Sequence, residues 1–268
     1  MARVELPQSK IRARKRRKRI RIIAISVVAL LVLVGASVAL FRAPFLRVTA
    51  VSVTGAQTLD VDEVKQFVEE RIAGYYLFVY PKNDILLYPQ TSIERELLST
   101  YPILKHVEVH ADNFHTIGVV LRERQPAAVW CATDCYLMDE DGVVYAPVQY
   151  TPTDQYITYS GRVSGEQMPK QFLTVDTFQA LAALASALSQ VESDDPVRQV
   201  VVDEHGDVRA YFQNDFLLIF SIKDQTGDVF ERFTLARQAE PLVGKSLGDF
   251  EYIDLRFGDK LYYKAKGS

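Results

Sequence analysis

The sequence predicts an α+β protein that consists of a single transmembrane helix, a small β-α-α-β-β domain and a mostly antiparallel β domain with two helices. Three observations predict this fold class. A strongly basic N-terminal stretch comes first, and a run of twenty residues without a charge follows it. The rest of the 268-residue chain mixes alternating, β-branched segments with a few segments of helical period.

The basic stretch covers residues 1–21, which carry ten Lys or Arg and one Glu, a net charge of +9. Because the whole chain has a net charge of −3, the remaining residues carry −12. A basic end on an acidic body is typical of either a nucleic-acid-binding arm or the flank of a membrane segment. The residues that follow decide between these two interpretations.

The uncharged run, residues 22–41, would span about 30 Å as a helix, the thickness of the hydrocarbon core of a bilayer. We therefore predict a transmembrane helix at 22–42. The positive-inside rule then predicts that residues 1–21 form a cytoplasmic tail and that the rest lies outside. The alternative is a cleaved signal peptide, since Ser37-Val38-Ala39 resembles a cleavage site. The run is longer than the usual apolar region of about 7–15 residues, which favours an uncleaved anchor.

The first outer domain is predicted at 47–124. Alternating residues at 45–55 indicate a strand, and Asp60 with Glu63 forms a capping box that opens a helix ended by Gly74. A second capping box, Thr91 with Glu94, opens another helix. The further predicted elements are an irregular aromatic segment at 75–88 and a hairpin of strands at 105–110 and 116–123.

Strands dominate from residue 125 onward, so a β domain is predicted at 125–264, with a short tail at 265–268. Two amphipathic segments indicate helices, at 174–191 and 228–238. The last two strands, at 250–256 and 261–264, are separated by a turn that includes Gly258 and Asp259.

The sequence contains no recognisable catalytic or metal-binding constellation. His106 and His110 lie on one face of a predicted strand, but they are about 13 Å apart, too far to share an ion. Nucleophile elbows and glycine-rich phosphate loops are absent. We therefore predict that the protein is not an enzyme and has no cofactor, no metal, no small-molecule substrate and no nucleic-acid partner.

The two cysteines, Cys131 and Cys135, flank a three-residue turn of a predicted hairpin. Opposed Cα atoms in such a pair lie about 4.5–5.5 Å apart, within the range of a disulfide. Disulfides form outside the cytoplasm, so a structural disulfide is the favoured interpretation. Free thiols, or a redox or metal-binding role, are the alternatives, although the spacing does not match Cys-x-x-Cys.

Several segments, taken in order, resemble the FtsQ/DivIB family of bacterial cell-division proteins. The family's opening strand and "G-x-x-L-F" segment are matched first, then its "ER-x-P-x-A-x-W" junction, its "D-x-x-G" hairpin and its C-terminal "Y-V-D-L-R-Y/F". The matching segments are FLRVTAVSVTG at 45–55, GYYLF at 74–78, YPILKHVEV at 101–109, VLRERQPAAVW at 120–130, LMDEDGVV at 137–144 and YIDLRF at 252–257. Three features depart from the family: the cysteine pair, the long aromatic segment at 75–88, and a basic tail for which no folded cytoplasmic part is expected.

The resemblance implies a POTRA domain at 47–124 and an FtsQ/DivIB-type β domain at 125–264. It further implies a non-enzymatic scaffold of the division septum that binds FtsB-like and FtsL-like bitopic membrane proteins, and other division proteins, and helps recruit or regulate septal peptidoglycan synthesis. The expected location is the bacterial cell membrane at the septum. In this family the FtsB-type partner adds a strand at the C-terminal edge of the β domain, which here corresponds to Arg256, Phe257, Gly258, Leu261, Tyr262 and Tyr263.

Two alternatives remain at the level of sequence. The protein could be a membrane-anchored POTRA-type chaperone or transport module that binds extended polypeptides along residues 47–124. Tyr262 and Tyr263 could also cover the protein's own core instead of a partner.

Overall fold

The structure, a computed structural model, describes residues 8–148, 155–240, 242–258 and 260–267. Some predicted features lie outside these residues: the first seven residues of the tail, Asp259 of the last turn, and Ser268. The chain divides into two compact units, of which the first comprises residues 1–99 and 106–122 and the second residues 100–105 and 123–268.

The chain begins with one continuous helix, α1 (Gln8–Phe41), which includes part of the basic stretch and the whole uncharged run. The section Lys15–Phe41 is long and apolar enough to cross a membrane, and none of it is buried against the rest of the protein. A 3-10 turn at Pro44–Leu46 follows, and Leu46 is the first residue to enter a core. Since proline cannot continue an α-helix, Pro44 marks the end of the apolar segment.

Beyond α1, the described part of the first unit contains a three-stranded sheet, a two-stranded hairpin and two helices. Its strands have the order β1-β5-β4, and β1 runs parallel to β5. Buried side chains from both helices and the sheet form its core, including Val64, Val68, Ile93, Leu97, Val109 and Ile117. The elements are β1 (Ala50–Thr54), α2 (Val61–Ile72), β2 (Tyr75–Tyr76), β3 (Tyr80–Pro81), α3 (Gln90–Thr100), β4 (Leu104–Asn113) and β5 (Thr116–Glu123).

The helix caps agree with the sequence at α2 and differ at α3. The Asp60 carboxylate accepts a hydrogen bond from the Asp62 N–H at 2.9 Å, as expected of an N-cap. The prediction that Thr91 caps the second helix is wrong, because α3 already begins at Gln90. The first turn closes on the Pro89 carbonyl, which accepts from the Ser92 and Ile93 N–H groups.

The second unit is built on a ten-stranded, mostly antiparallel sheet with the order β10-β8-β7-β6-β9-β11-β12-β13-β14-β15. Its strands are β6 (Ala128–Cys131), β7 (Cys135–Met138), β8 (Val143–Pro147), β9 (Thr158–Ser160), β10 (Lys170–Gln171), β11 (Val197–Val202), β12 (Asp207–Phe212), β13 (Leu217–Ser221), β14 (Phe250–Phe257) and β15 (Lys260–Ala265). Two helices, α4 (Val175–Val191) and α5 (Thr226–Gln238), contribute Phe178, Leu181, Leu188, Val229 and Phe233 to its core.

The chain order explains why the last two strands lie at one end of this sheet. β13 pairs with β14 in parallel, which requires a crossover, and α5 supplies it. β15 then returns antiparallel to β14 after a tight turn. The mixed α/β architecture, with its apolar N-terminal helix, confirms the predicted fold class.

Candidate partner-binding edge

The last strand, β15, is the end strand of the ten-stranded sheet. It pairs with β14 on one side, and no strand within the described residues pairs with its other side. A strand in this position directs about half of its N–H and C=O groups away from the sheet. These groups are able to bond to a strand from another chain.

Aromatic side chains surround this edge strand. The exposed fractions of Phe257, Tyr262 and Tyr263 are 52%, 51% and 45%. The Phe257 and Tyr262 rings meet edge to face, with centroids 4.8 Å apart. Between β14 and β15, Gly258 has a φ of 63°, a left-handed conformation that glycine adopts without strain. The edge therefore presents a preformed aromatic pair next to unpaired backbone.

Alternating residues of β15 serve different purposes. Leu261 and Ala265 are partly buried and pack against the core of the unit. Tyr263, on the same face, contacts the buried Phe250 ring at a centroid distance of 6.0 Å. Tyr262 lies on the opposite face, where Phe257 is its aromatic neighbour. Leu261 and, in part, Tyr263 thus cover the protein's own core, whereas the Tyr262 ring is half exposed and contacts only the exposed Phe257 ring among the aromatic residues described.

Arg256 is held by carboxylates of its own chain. Its Nε donates to Asp254 Oδ1 at 2.9 Å, a second nitrogen donates to Asp254 Oδ2 at 2.6 Å, and the guanidinium also contacts the Asp207 carboxylate. Burial alone would raise the pKa of Asp254, but the hydrogen bonds from the Arg256 side chain and backbone outweigh burial and lower that pKa. The Asp254 hydrogen bond in turn raises the pKa of Arg256.

This pairing gives the D-L-R part of the C-terminal motif a structural role. Asp254 pairs with Tyr262 across β14 and β15. The ion pair of Asp254 with Arg256, called the Asp254–Arg256 clamp below, therefore lies next to the edge strand. Arg256 is thereby placed to fix β14 against β12, to which Asp207 belongs.

Cys131 and Cys135 face each other in the β6–β7 hairpin, and their sulfur atoms are bonded in the structure, with Cα atoms 4.2 Å apart. The bond closes the short turn 132–134. It lies at the end of the hairpin, away from the C-terminal edge strand in sheet order.

A second paired site was not predicted from the sequence. Arg124, from the junction motif, donates to the Asp139 carboxylate at 2.5 Å, and the side chains are only 12% and 1% exposed. Asp139 also accepts from the N–H groups of Asp141 and Val143, at 3.0 and 2.9 Å. A buried ion pair therefore joins the junction segment at 120–130 to the hairpin segment at 137–144. The spacing of the two residues in the sequence did not predict this contact.

The structure offers no metal centre among the residues it describes, since no group of three or more His, Cys, Asp or Glu side chains lies close enough together to hold an ion. His110 interacts instead with the Asp112 carboxylate, at 2.9 Å. His115 contacts the Arg47 carbonyl through Nδ1, at 3.0 Å.

A helix able to cross a membrane, followed by two α+β units, defines the class of single-pass, membrane-anchored proteins with a large folded body. Residues 128–256 match the family described as cell division protein FtsQ/DivIB, C-terminal. This part of the chain, most of the second unit, belongs to the FtsQ/DivIB family of cell-division proteins, a family of non-enzymatic scaffolds, and the match implies a role in cell division. No curated protein matches the chain significantly.

Proposed function

We propose that this protein is a septal scaffold that binds FtsB-type and FtsL-type bitopic membrane proteins and helps recruit or regulate septal peptidoglycan synthesis. The observation that carries the proposal is the open edge of β15, the end strand of a sheet that belongs to a cell-division family. An FtsB-type partner is proposed to pair its own extended segment with this strand.

Backbone pairing supplies the affinity in such an arrangement. An added strand satisfies N–H and C=O groups that otherwise bond to water, and side-chain pockets along the strand select the partner. Tyr262 and Phe257 supply the aromatic surface next to this backbone, and aromatic residues are common anchors of protein interfaces. Arg256 is proposed to position the edge through Asp254 and Asp207 rather than to bind a partner carboxylate directly.

The proposed orientation places the basic N-terminal tail in the cytoplasm and both folded units outside, with the protein enriched at the division septum. The charge asymmetry supports this orientation, because Lys and Arg next to a membrane helix favour the cytoplasmic side. An outer location is also compatible with the bonded cysteines.

The alternative function, capture of extended polypeptides by the first unit, would use the free side of β4 in the three-stranded sheet. This edge is partly covered. The N–H of Val109, in the middle of β4, donates to the Glu94 carboxylate of α3 at 3.0 Å. Because a helix side chain already occupies this position, the β15 edge is the better template for a partner strand.

The decisive experiment measures binding of an FtsB-type ectodomain to the full-length protein in detergent or nanodiscs. Tyr262→Ala should weaken binding about tenfold, since it removes an exposed aromatic anchor. Leu235→Ala is the matched control, because Leu235 is a similarly exposed apolar residue on α5, and its affinity should change less than about twofold.

Truncation after Asp254 provides the second arm. It removes β15 and the end of β14, so capture should be lost while the first unit stays folded, as judged by its resistance to limited proteolysis. If the truncated chain captured the ectodomain as well as the full chain, or if Leu235→Ala were as damaging as Tyr262→Ala, the β15 edge would not be the binding site.

A further inference from the structure

A short aromatic hairpin at residues 75–81 projects large apolar side chains from the first unit. β2 and β3 pair Tyr76 with Tyr80, and the tip consists of Leu77 and Phe78. These two side chains are 84% and 96% exposed, the highest values among the large hydrophobic residues that the structure describes. Exposed apolar residues that project together usually mark a site of interaction.

The backbone of the tip adopts a conformation that these residues rarely take. Leu77 and Phe78 have φ angles of 48° and 62°, and the Val79 N–H donates to the Tyr76 carbonyl across the tip at 3.0 Å. Glycine or asparagine usually fills such positions, because at positive φ the Cβ atom of other residues comes too close to the following carbonyl oxygen. Bulky apolar residues held in a strained turn point to a function for their side chains.

The hairpin contacts the C-terminal end of α1. The Tyr80 hydroxyl lies 2.9 Å from Ser37 Oγ, and the Tyr80 ring meets the Phe41 ring edge to face at a centroid distance of 5.8 Å. The Arg42 Nε–H also donates to the Val79 carbonyl at 3.3 Å. Since Ser37 precedes Phe41 by four residues, about 6 Å along a helix, the hairpin reaches the level of the last apolar turn.

We propose that the tip of this hairpin, Leu77 and Phe78, inserts into the bilayer leaflet that surrounds the C-terminal end of α1. The occupant of the exposed tip is lipid, because the same contacts that hold the hairpin also fix it at the depth of a membrane-spanning helix. Insertion buries both side chains among acyl chains, as in other interfacial apolar anchors. The proposal is independent of the partner that binds the β15 edge.

The residues around the tip match the chemistry of a membrane interface. Tyr75, Tyr76 and Tyr80 lie next to the tip on β2 and β3, and tyrosine is a residue type that is enriched at the headgroup level. Lys82 lies with its ammonium 5.5 Å from the centre of the Tyr76 ring, and with Arg42 it adds positive charge where anionic headgroups lie. A second attachment beside α1 would restrict rotation of the first unit about the membrane normal.

The test places a tryptophan at the tip of the full-length chain, in vesicles of equimolar phosphatidylcholine and phosphatidylglycerol. In the Phe78→Trp variant, replacement of the phosphatidylcholine by its brominated form, with phosphatidylglycerol kept, should halve the added emission, as expected for a ring about 5–10 Å deep in the interface. Acrylamide, an aqueous quencher, should have little effect. The buried native Trp130 is measured in the unsubstituted protein and subtracted.

Asp62→Trp is the matched control, because Asp62 is an exposed residue in the first turn of α2, at the opposite end of that helix from the hairpin. Its emission should not respond to brominated lipid. Leu77→Trp gives a second reporter should Phe78→Trp disturb folding. Acrylamide quenching without bromolipid quenching at both tip positions would overturn the proposal and leave the tip to a protein partner. Equal bromolipid quenching at position 62 would overturn it too, since that result indicates general adsorption of the unit.

Discussion

Asp139 shows how one side chain can connect two separated motifs. Its carboxylate accepts hydrogen bonds from the Arg124 guanidinium and from two backbone N–H groups, and the Asp139 side chain is almost fully buried. A buried ion pair contributes little compared with an apolar pair of the same shape, but removal of one partner leaves the other charge buried without compensation. The pair is therefore costly to break.

We expect Asp139→Ala to lower the free energy of unfolding by about 4 kcal/mol, because Arg124 would remain buried without its carboxylate. Denaturant unfolding of the purified protein measures this change. Lys65→Ala is the control, since Lys65 pairs with the exposed Asp62 on the surface of α2, and its loss should cost less than about 0.5 kcal/mol. Similar losses in both variants would contradict a special role for the Asp139 pair.

The Asp254–Arg256 clamp gives stability a dependence on pH. The pKa of Asp254 is lowered in the folded protein, so the unfolded chain binds this proton more readily. The stabilisation is fully present above the carboxyl's unfolded pKa, about 3.9, and it is lost as pH falls through the folded pKa.

We therefore expect the unsubstituted protein to lose more stability than Asp254→Asn when the pH is lowered from about 5 to about 3. Urea unfolding at several pH values in this range measures both curves. The gap between the two curves should narrow toward the acid end, as the pH approaches the lowered pKa of Asp254. Parallel curves across the range would show that the clamp makes no pH-dependent contribution.

At the scale of elements, the β6–β7 hairpin is held by antiparallel strand pairing as well as by the bonded cysteines. Val129 and Trp130 pair with Leu137 and Tyr136 along the same two strands. The closed loop is short, so the entropy that the bond removes from the unfolded chain is small. The hairpin should not depend on the bond for its formation.

We expect the Cys131→Ser, Cys135→Ser double variant to lose no more than about 2 kcal/mol of stability and to keep its partner affinity. Thermal or urea unfolding measures the first quantity, and the ectodomain binding assay measures the second. Reduction of the unsubstituted protein should reproduce the stability of the double variant. A loss of binding would indicate that the hairpin belongs to the partner site.

Elements with local signals were predictable, and elements that depend on distant pairing were not. The sequence predicted a helix between Asp60 and Gly74, where α2 lies, because its cap and its stop signal are both local. β9 and β10 are only three and two residues long and were not predicted, since β9 exists through parallel pairing with β6 and β11. Propensity carries little information about such strands.

The candidate site shows the same division. The exposed aromatic residues at the C-terminal edge were identified from residue type and from a resemblance to a known family. The partners of Arg256 were not, because Asp207 is 49 residues away in the sequence and only the strand order brings it near. The left-handed turn at Leu77 and Phe78 also could not be predicted, since neither residue type favours it.

At the scale of the whole molecule, the charge distribution and α1 divide the chain into a basic tail, a membrane segment and an acidic body. The basic tail favours the cytoplasmic side of the membrane, since arginines and lysines next to a membrane helix are retained there. This predicts the side on which both folded units lie, and hence the side on which a division partner must present its strand.

Protease added to intact spheroplasts that carry an N-terminally tagged protein should therefore digest both folded units and leave a tagged fragment that ends near Arg42. The tail survives because the cytoplasmic membrane shields it, and detergent should then make it sensitive as well. A cytoplasmic marker protein that stays intact before detergent controls for lysis. The reverse pattern, with the tag digested and the body protected, would refute the orientation. A mature protein that begins near Phe41 would instead show that α1 is a cleaved signal, and the bilayer insertion of the 75–81 hairpin would lose its anchor.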